Sequence, residues 1–312
     1  MKDRWASLKV VFQGVIMGNL AGLALFGFGL LFSMHSKTPN AIRVLGLPSL
    51  LLAPFVVGFV ASWYWHPITY GLRDTLLYSL LCTLLAFGVA VLLFHEGLIC
   101  LLILAPLFYF AVLTGAQVGR IWFDRRGGRM NAFIFPALFI IVLGEPALRG
   151  PRIGVVTDEI QIAAPPSKVW PHVLAFDEIP ERPNYWLFHL GLPYPVRTTN
   201  GGDFAGADRA CEFSGHAVFK ERIAEIEPQR LLTFDITDMP RDPELIGHLD
   251  AHRGQFELID NHDGTTTLIG RTWYSLHVRP AFYFDWWTHD IFRAVHLRVM
   301  RHVKNLAEKE GA

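Results

Sequence analysis

The stretch Ile160-Gln-Ile-Ala-Ala-Pro-Pro-Ser-Lys-Val-Trp170 marks the place where a strand gives way to a helix. Residues 155–162 alternate apolar and polar side chains, which predicts a half-buried strand. Pro165 and Pro166 end that strand, and Pro166 or Ser167 can open a short helix through residues 168–174. An α+β domain is therefore expected to begin here.

The chain downstream of this stretch reads as a run of antiparallel strands followed by one long helix. A second short helix is expected near residues 179–190, and turns at 214–216 and 262–264 favour hairpins. Strand patterns cover residues 196–204 (the weakest), 208–214, 217–227, 230–237, 254–260 and 265–278. The final helix should run from Pro280 to about Lys309. Its predicted buried stripe comprises Tyr283, Trp287, Ile291, Val295, Val299, Val303 and Leu306. An antiparallel sheet with one apolar face must be covered, and only this helix is long enough.

The sequence upstream of this stretch predicts a membrane-spanning domain. Uncharged runs at residues 10–34, 47–65, 75–94 and 97–119 each have about the 20 residues that a helix needs to cross a bilayer. They predict four spans, with Gly14, Gly18 and Gly22 allowing close helix contact. A fifth apolar run, residues 132–143, is short and contains Pro136. It either crosses the membrane or lies in its surface.

Charge and composition separate the two halves. Residues 1–152 carry 12 basic and 5 acidic residues, and residues 153–312 carry 16 and 23. We therefore expect a transmembrane domain at 1–148, a linker at 149–154 and a second domain at 155–312. The 52% apolar and 18% charged composition excludes a disordered chain and a polybasic nucleic-acid binder. Cys82, Cys100 and Cys211 cannot build a disulfide framework.

Basic residues near the ends of the apolar runs orient the first half. Lys2, Arg4 and Lys9 place the N-terminus inside, and the Arg cluster at 120–129 places the end of the fourth span inside as well. Whether the fifth run crosses then decides which side holds residues 153–312. That side stays open.

The downstream half resembles the START-like, or SRPBCC, superfamily of polyketide cyclase/dehydrase and lipid-transport-type domains. The resemblance covers roughly residues 153–310. It is carried by Ile160–Trp170, Gly206–Gly215, Phe219–Glu221, Arg230–Phe234 and Asp263–Tyr274. It implies a helix-grip fold, in which a curved sheet wraps around the C-terminal helix with an apolar cavity between them. Members bind lipids, sterols, polyketides or other hydrophobic ligands, and some catalyse cyclisation or dehydration.

The first half also resembles bacterial membrane proteins that carry such a domain at the C-terminus, with His95–Cys100 part of the likeness. This resemblance implies a multi-pass protein of the bacterial cytoplasmic (inner) membrane. It names no activity.

Strand alternation assigns the side chains that would line the cavity. If 214–216 is a hairpin turn, Arg209 lies opposite Glu221 and Cys211 opposite Phe219, all on the inner face. The predicted ligand-binding residues are Arg209, Cys211, Phe213, Phe219, Glu221, Phe234, Phe256, Thr272, Tyr274 and, from the last helix, His296. Leu232, Ile236 and Leu258 are expected to point inward too. Such a face is mostly apolar, as a hydrophobic ligand requires.

The polar residues of this face have two readings each. Arg209 with Glu221 is either a head-group anchor or tuned base, or a structural ion pair, because a buried charge needs a partner in any case. Glu221, His296 and Tyr274 are the catalytic candidates. No carboxylate at a helical spacing orients His289 or His296, and Asp285 and Asp290 are expected to point elsewhere. Cys211 is a nucleophile or a small buried filler.

No cofactor and no metal are expected. His248 and His252 have a spacing that can bind zinc on a helix, but no third ligand lies nearby. The aromatic residues 282–287 are expected to be mostly core, with the remainder at the bilayer surface or gating the pocket. Residues 238–251 are long enough to form a lid.

Three hypotheses of function follow. The first is a membrane-anchored binding or transfer domain for a hydrophobic small molecule or lipid, whose partners are the bilayer and that ligand, with no nucleic acid. The second is a cyclase or dehydratase acting on a hydrophobic substrate. The third is a membrane sensory or assembly protein in which side chains fill the pocket. The sequence leaves binding and catalysis unseparated, and it does not give the ligand, the oligomeric state or the pathway.

Overall fold

The computed structural model describes residues 2–35, 51–94, 97–123, 152–242 and 249–309. The chain divides into two compact units, one of residues 1–150 with 278–280 and one of residues 151–277 with 281–312.

The first unit is helical over its described residues up to 123, except at residues 66–71 and 97. Its helices are α1 (Lys2–His35), α2 (Ala53–Trp65), α3 (Leu72–Val89), which continues as a π-helical turn at Ala90–Phe94, and α4 (Leu98–Phe123). Among the described residues, three segments are long and apolar enough to cross a membrane, namely Ser7–Gly27, Leu72–Leu93 and Leu98–Phe123. The predicted span at 47–65 corresponds to α2, a shorter apolar helix of 13 residues. The fifth run, residues 132–143, lies outside the described residues.

Glycines bring the helices of this unit close together. A Cβ at Gly18 of α1 would lie 2.5 Å from the carbonyl oxygen of Val57 in α2. A Cβ at Gly115 of α4 would overlap the carbonyl oxygen of Phe55, and one at Gly58 that of Val112. Small residues at such crossings let backbones approach, which is how apolar helices associate in lipid.

Replacing Gly115 by leucine should therefore destabilise the helical unit, because its neighbour is backbone that cannot move aside. We expect a loss of roughly 1–3 kcal/mol or more, the usual cost of overpacking. The measurement is thermal stability in detergent. The full chain is heated, and the temperature at which half of it is no longer monodisperse is recorded. Gly88→Leu in α3 is the control, since a Cβ there meets nothing within 4 Å. Equal losses in both variants would contradict this packing.

The second unit is a curved antiparallel sheet of seven strands in the order β1-β7-β6-β5-β4-β3-β2, with a long C-terminal helix. Its strands are β1 (Arg152–Ile162), β2 (Pro195–Asn200), β3 (Asp208–Phe213), β4 (Val218–Glu227), β5 (Leu231–Asp238), β6 (Leu249–Asp260) and β7 (Thr266–Leu276). Its helices are α5 (Pro166–Leu174), α6 (Trp186–His189) and α7 (Ala281–Lys309).

Several predicted boundaries differ from the structure: the strand predicted at 196–204 ends at Asn200, and the one predicted from 155 begins at Arg152. The helix expected near 179–190 is only the four-residue α6. Strand β6 begins at Leu249, five residues before the predicted start, so part of the expected lid is strand. Residues 243–248 of that segment lie outside the described residues.

The buried face of α7 also differs from the predicted stripe. Val299 and Val303 are buried as expected, but Tyr283, Trp287, Ile291, Val295 and Leu306 stay partly exposed. The buried residues are Asp285, Thr288, His296, Val299, Met300, His302, Val303 and Ala307. Apolar periodicity did not predict the buried face of the first part of α7, because polar side chains are buried there. Two of these side chains hydrogen-bond to the sheet.

Candidate functional site

The inner face of the sheet, which α7 covers, has the register that the hairpin predicts. Arg209 pairs with Glu221 and Cys211 with Phe219 across β3 and β4. Farther along the sheet, Thr272 of β7 lies between Val156 of β1 and Gly254 of β6. Side chains at these positions share one face because neighbours in register point the same way.

The C-terminal half of α7 closes one end of this face by apolar packing. Met300 and Val303 are fully buried against the sheet, together with Leu232 and Leu268. A Cβ at Gly270 would lie 3.2 Å from the Met300 sulfur, so this glycine gives the helix room to approach. This end is an ordinary close-packed core.

Other inner-face positions keep some exposed surface. Most are apolar or aromatic, and they lie on the central strands rather than at the sheet edge. They are Phe213, Phe219, Ile236, Phe256 and Thr272. Four of these five are among the predicted ligand-binding residues. Partly exposed apolar side chains on the concave face of a sheet are typical of a small-molecule site without its ligand.

A buried ion pair stands on β3 and β4. Arg209 and Glu221 are 4% and 5% exposed, and Arg209 Nη1 lies 2.5 Å from Glu221 Oε2. Arg209 also donates from Nε to the Leu174 carbonyl at 3.3 Å and lies 4.5 Å over the Phe234 ring. Burial raises the pKa of the Glu221 carboxyl, and the Arg209 guanidinium offsets part of that rise. With each partner held by the other, the pair can act as a structural unit without any ligand.

The neighbouring Cys211 is buried and its pKa is raised by that burial. A thiol that resists ionisation is a poor nucleophile. This favours the interpretation of Cys211 as a small side chain that fills space in the core.

Tyr274 is the second polar feature, and it belongs to a chain of three groups. Its hydroxyl donates to Asp285 Oδ1 at 2.5 Å, and Asp285 Oδ2 lies 2.7 Å from Arg152 Nη2. As expected, Asp285 orients neither His289 nor His296; its carboxylate contacts Tyr274 and Arg152 instead. Burial, followed by the Asp285 carboxylate, raises the pKa of Tyr274. Its proton is thus harder to release than that of a free tyrosine, which weakens it as a general acid.

His296 is the third feature, and it joins α7 to two strands. Its Nδ1 lies 2.9 Å from Asp158 Oδ2 on β1, and its Nε2 lies 2.8 Å from Thr272 Oγ1 on β7. The side chains of His296 and Asp158 are 6% and 8% exposed. With the ring neutral, the carboxylate holds the proton on Nδ1, and Nε2 accepts from the threonine hydroxyl.

Asp158 is the residue that sequence reasoning missed. It lies on a different element from His296, 138 residues away, so no helical spacing could show it. The available signal was the alternation of β1, which puts Asp158 on the inner face between Val156 and Ile160. A carboxylate at an inward position of a strand predicts a buried partner.

The residues weighed for zinc do not assemble into a site within the described parts of the chain. His252 Nε2 lies 2.6 Å from Ser275 Oγ, and His248 is outside the described residues. Among the residues that the structure places, no three His, Cys, Asp or Glu side chains form a group able to hold a metal ion.

The second unit, which has this fold and inner face, is similar to a known protein family. Residues 154–301 match the family of polyketide cyclase / dehydrase and lipid transport domains. The match begins in β1 and ends in α7, so the matched region, which we call the family domain after this match, contains every predicted site residue. No curated protein matches the chain.

Solved structures of other proteins are similar to the family domain. One is norcoclaurine synthase from Thalictrum flavum in complex with dopamine and hydroxybenzaldehyde, at 12% identity and TM-score 0.35, covering 51% of this chain and 88% of that one. Another is the Zhui aromatase/cyclase from Streptomyces sp. R1128, at 12% identity and TM-score 0.37, covering 52% and 97%. A third is protein MLL2253 from Mesorhizobium loti, at 17% identity and TM-score 0.35, covering 50% and 98%.

Glu221→Gln should destabilise the family domain strongly, because it leaves the Arg209 charge buried without a counter-charge. Breaking a buried pair this way costs about 3–5 kcal/mol. Hydrogen exchange of peptides from residues 152–309, measured on the full chain in detergent, reports the loss.

The matched control is Asp238→Asn, which breaks the neighbouring pair with Lys220. Its side chains are 66% (Lys220) and 60% (Asp238) exposed. It should change stability by at most about 1 kcal/mol. Similar effects of the two substitutions would show that the Arg209–Glu221 pair is not desolvated as described.

Proposed function

We propose that the protein is a membrane-anchored binder of a hydrophobic small molecule or lipid, held between the inner face of the sheet and α7. The observation that carries the proposal is the accessible apolar surface at Phe219, Ile236 and Phe256, beside a core that is otherwise closed. Filling this space with an apolar ligand removes that surface from water, which is worth roughly 25 cal/mol for each Å².

Thr272 gives the site its polar recognition element. Thr272 is partly exposed, and its hydroxyl is bonded to His296. A ligand hydroxyl can donate to the Thr272 oxygen, because that oxygen still accepts while its own proton is given to His296. The ligand class is therefore a mostly apolar molecule with a polar group at one end.

Anchoring is supported by the three apolar helical segments and by the family match, whose description includes lipid transport. On this proposal the first unit is a multi-pass anchor, and the resemblance noted from the sequence implies the cytoplasmic membrane of a bacterium. Tethering beside the bilayer raises the local concentration of lipid-soluble ligands.

Ile236→Trp should reduce ligand occupancy several-fold by filling the site with indole. The readout is mass spectrometry of lipids and other apolar molecules extracted from the full chain, purified from native membranes in mild detergent. Thr237→Trp is the control, since the adjacent residue of β5 points to the outer face and is exposed. Wild-type and Thr237→Trp proteins should carry the same molecule in similar amount.

Two results would contradict the proposal. One is wild-type protein that carries no apolar molecule above the level of a detergent blank. The other is full occupancy in Ile236→Trp. The first result would favour a sensory or assembly role with a filled interior.

A second candidate, an enzyme of the cyclase or dehydratase type, is favoured by the Asp158–His296–Thr272 chain. A histidine whose Nδ1 is held by a carboxylate is oriented for proton transfer at Nε2. Of the three catalytic candidates, only His296 is bonded to a partly exposed neutral group, the Thr272 hydroxyl, whereas Glu221 is locked to Arg209 and Tyr274 to Asp285.

If His296 is the base, wild-type protein should convert the extracted molecule into a product of different mass or chromatographic retention. His296→Gln should bind that molecule but abolish the conversion, because an amide cannot accept the proton as imidazole does. Asp235→Asn, in an exposed pair with Arg253, should convert at the wild-type rate. Conversion that survives His296→Gln removes His296 as the base, and a molecule unchanged by wild-type protein removes the enzyme candidate.

A further inference from the structure

The N-terminal part of α7 carries a continuous surface of exposed aromatic side chains. Phe282 and Trp286, one helical turn apart, are 74% and 63% exposed. The Trp286 ring contacts that of Trp287 at 5.0 Å, and Trp287 contacts Trp186 of α6 at 6.3 Å. Trp186 is itself 46% exposed. We call Phe282, Trp286, Trp287 and Trp186 the aromatic end, and apolar surface concentrated in this way usually marks an interaction site.

The chain enters the domain at this same end. Arg152, the first residue of β1, forms an ion pair with Asp285, the residue before Trp286. Ile153, which follows Arg152, is 74% exposed. Residues 124–151, 28 in number, separate β1 from the end of α4. Even fully extended they reach only about 100 Å, so the aromatic end is tethered to the apolar helices.

Basic side chains continue the surface beyond the tryptophans. Tyr185, whose ring contacts Trp186 at 6.4 Å, lines a cleft of about 240 Å³ on the outer side of α7. Arg293 and Arg301 line the same cleft and are both exposed, and Arg293 Nε also lies 3.8 Å from Asp158 Oδ1. The cleft also contains Asp290, which accepts a hydrogen bond from the Tyr185 hydroxyl at 2.6 Å. The remaining lining residues are Asn184, Ala294 and Leu297.

Aromatic side chains next to arginines match the layered chemistry of a bilayer surface. Tryptophan prefers the level of the headgroups, where its apolar body meets lipid and its N–H meets polar groups. Arginine side chains are attracted to lipid phosphates, because the guanidinium group matches the geometry of phosphate oxygens.

We infer that the aromatic end docks on the bilayer surface, with Phe282, Trp286 and Trp186 at headgroup level and Arg293 and Arg301 facing lipid phosphates. This rests on the membrane anchoring in the proposed function. Because the tether already holds the domain near the bilayer, even weak intrinsic affinity suffices to keep the contact formed.

The test uses the full chain in vesicles of phosphatidylcholine and phosphatidylglycerol, with a nitroxide label at Phe282→Cys or Trp286→Cys. The control label is at His262→Cys in the β6–β7 turn, where the native side chain is 89% exposed. Every labelled variant also carries Cys100→Ser, because Cys100 is half-buried while Cys82 and Cys211 are buried, and label-treated Cys100→Ser protein gives the background. Oxygen, which partitions into lipid, and a water-soluble nickel chelate compete as collision partners for the nitroxide. The ratio of oxygen to nickel accessibility should be several-fold higher at 282 and 286 than at 262.

Three outcomes would overturn the inference. Nickel access at 282 and 286 equal to that at 262 means that the aromatic end faces water. Exclusion of both reagents means that it packs against protein, either this chain or a second copy. If the chain fails to float with vesicles on a density gradient, membrane anchoring itself fails, and this failure is distinguishable because it precedes any labelling.

Discussion

The contact between α7 and the sheet is made in two different ways along one helix, and the rest of the domain depends on this. The C-terminal half is held by apolar packing, with Met300 and Val303 fully buried. The N-terminal half is held at particular atoms, through His296 to Asp158 and Thr272 and through Asp285 to Tyr274. Hydrogen bonds between particular atoms hold a helix in position even where side chains do not fill the space around them. Hydrophobic contact stabilises the fold only where side chains exclude water from that space. A helix attached in this way can leave apolar inner-face residues such as Phe256 partly uncovered.

The same division explains what the sequence could and could not predict. Strand faces followed from alternation and one hairpin turn, and the Arg209–Glu221 pairing came out in register. Apolar periodicity then misjudged the first half of α7, because Asp285, Thr288 and His296 are buried there instead of Trp287 and Ile291. Periodicity detects a helix face only where burial and hydrophobicity coincide. The partner of His296 was missed because contacts between distant elements leave no trace in local spacing.

The helical half was predicted by simpler physics. Apolar runs long enough to cross a bilayer stand out because the hydrocarbon core excludes charge. The glycine spacing at 14, 18 and 22 indicated close contact, and the structure packs Gly14 and Gly18 against α2. Pro48 and Pro54 interrupt the second run, whose described part includes the helix Ala53–Trp65; residues 36–50 lie outside the described residues. Residues 132–143, which on the proposed anchoring decide the side that holds residues 153–312, lie outside the described parts of the chain.

The central claim is that the space beneath the N-terminal half of α7 holds a ligand. An experimentally determined structure of the full chain, purified from its native membrane without exposure to harsh detergent, tests this most directly. The account predicts elongated non-protein density against Phe256 and Ile236, with one end near Thr272. Density for protein side chains alone, filling that space and covering Phe219, Ile236 and Phe256, would contradict it.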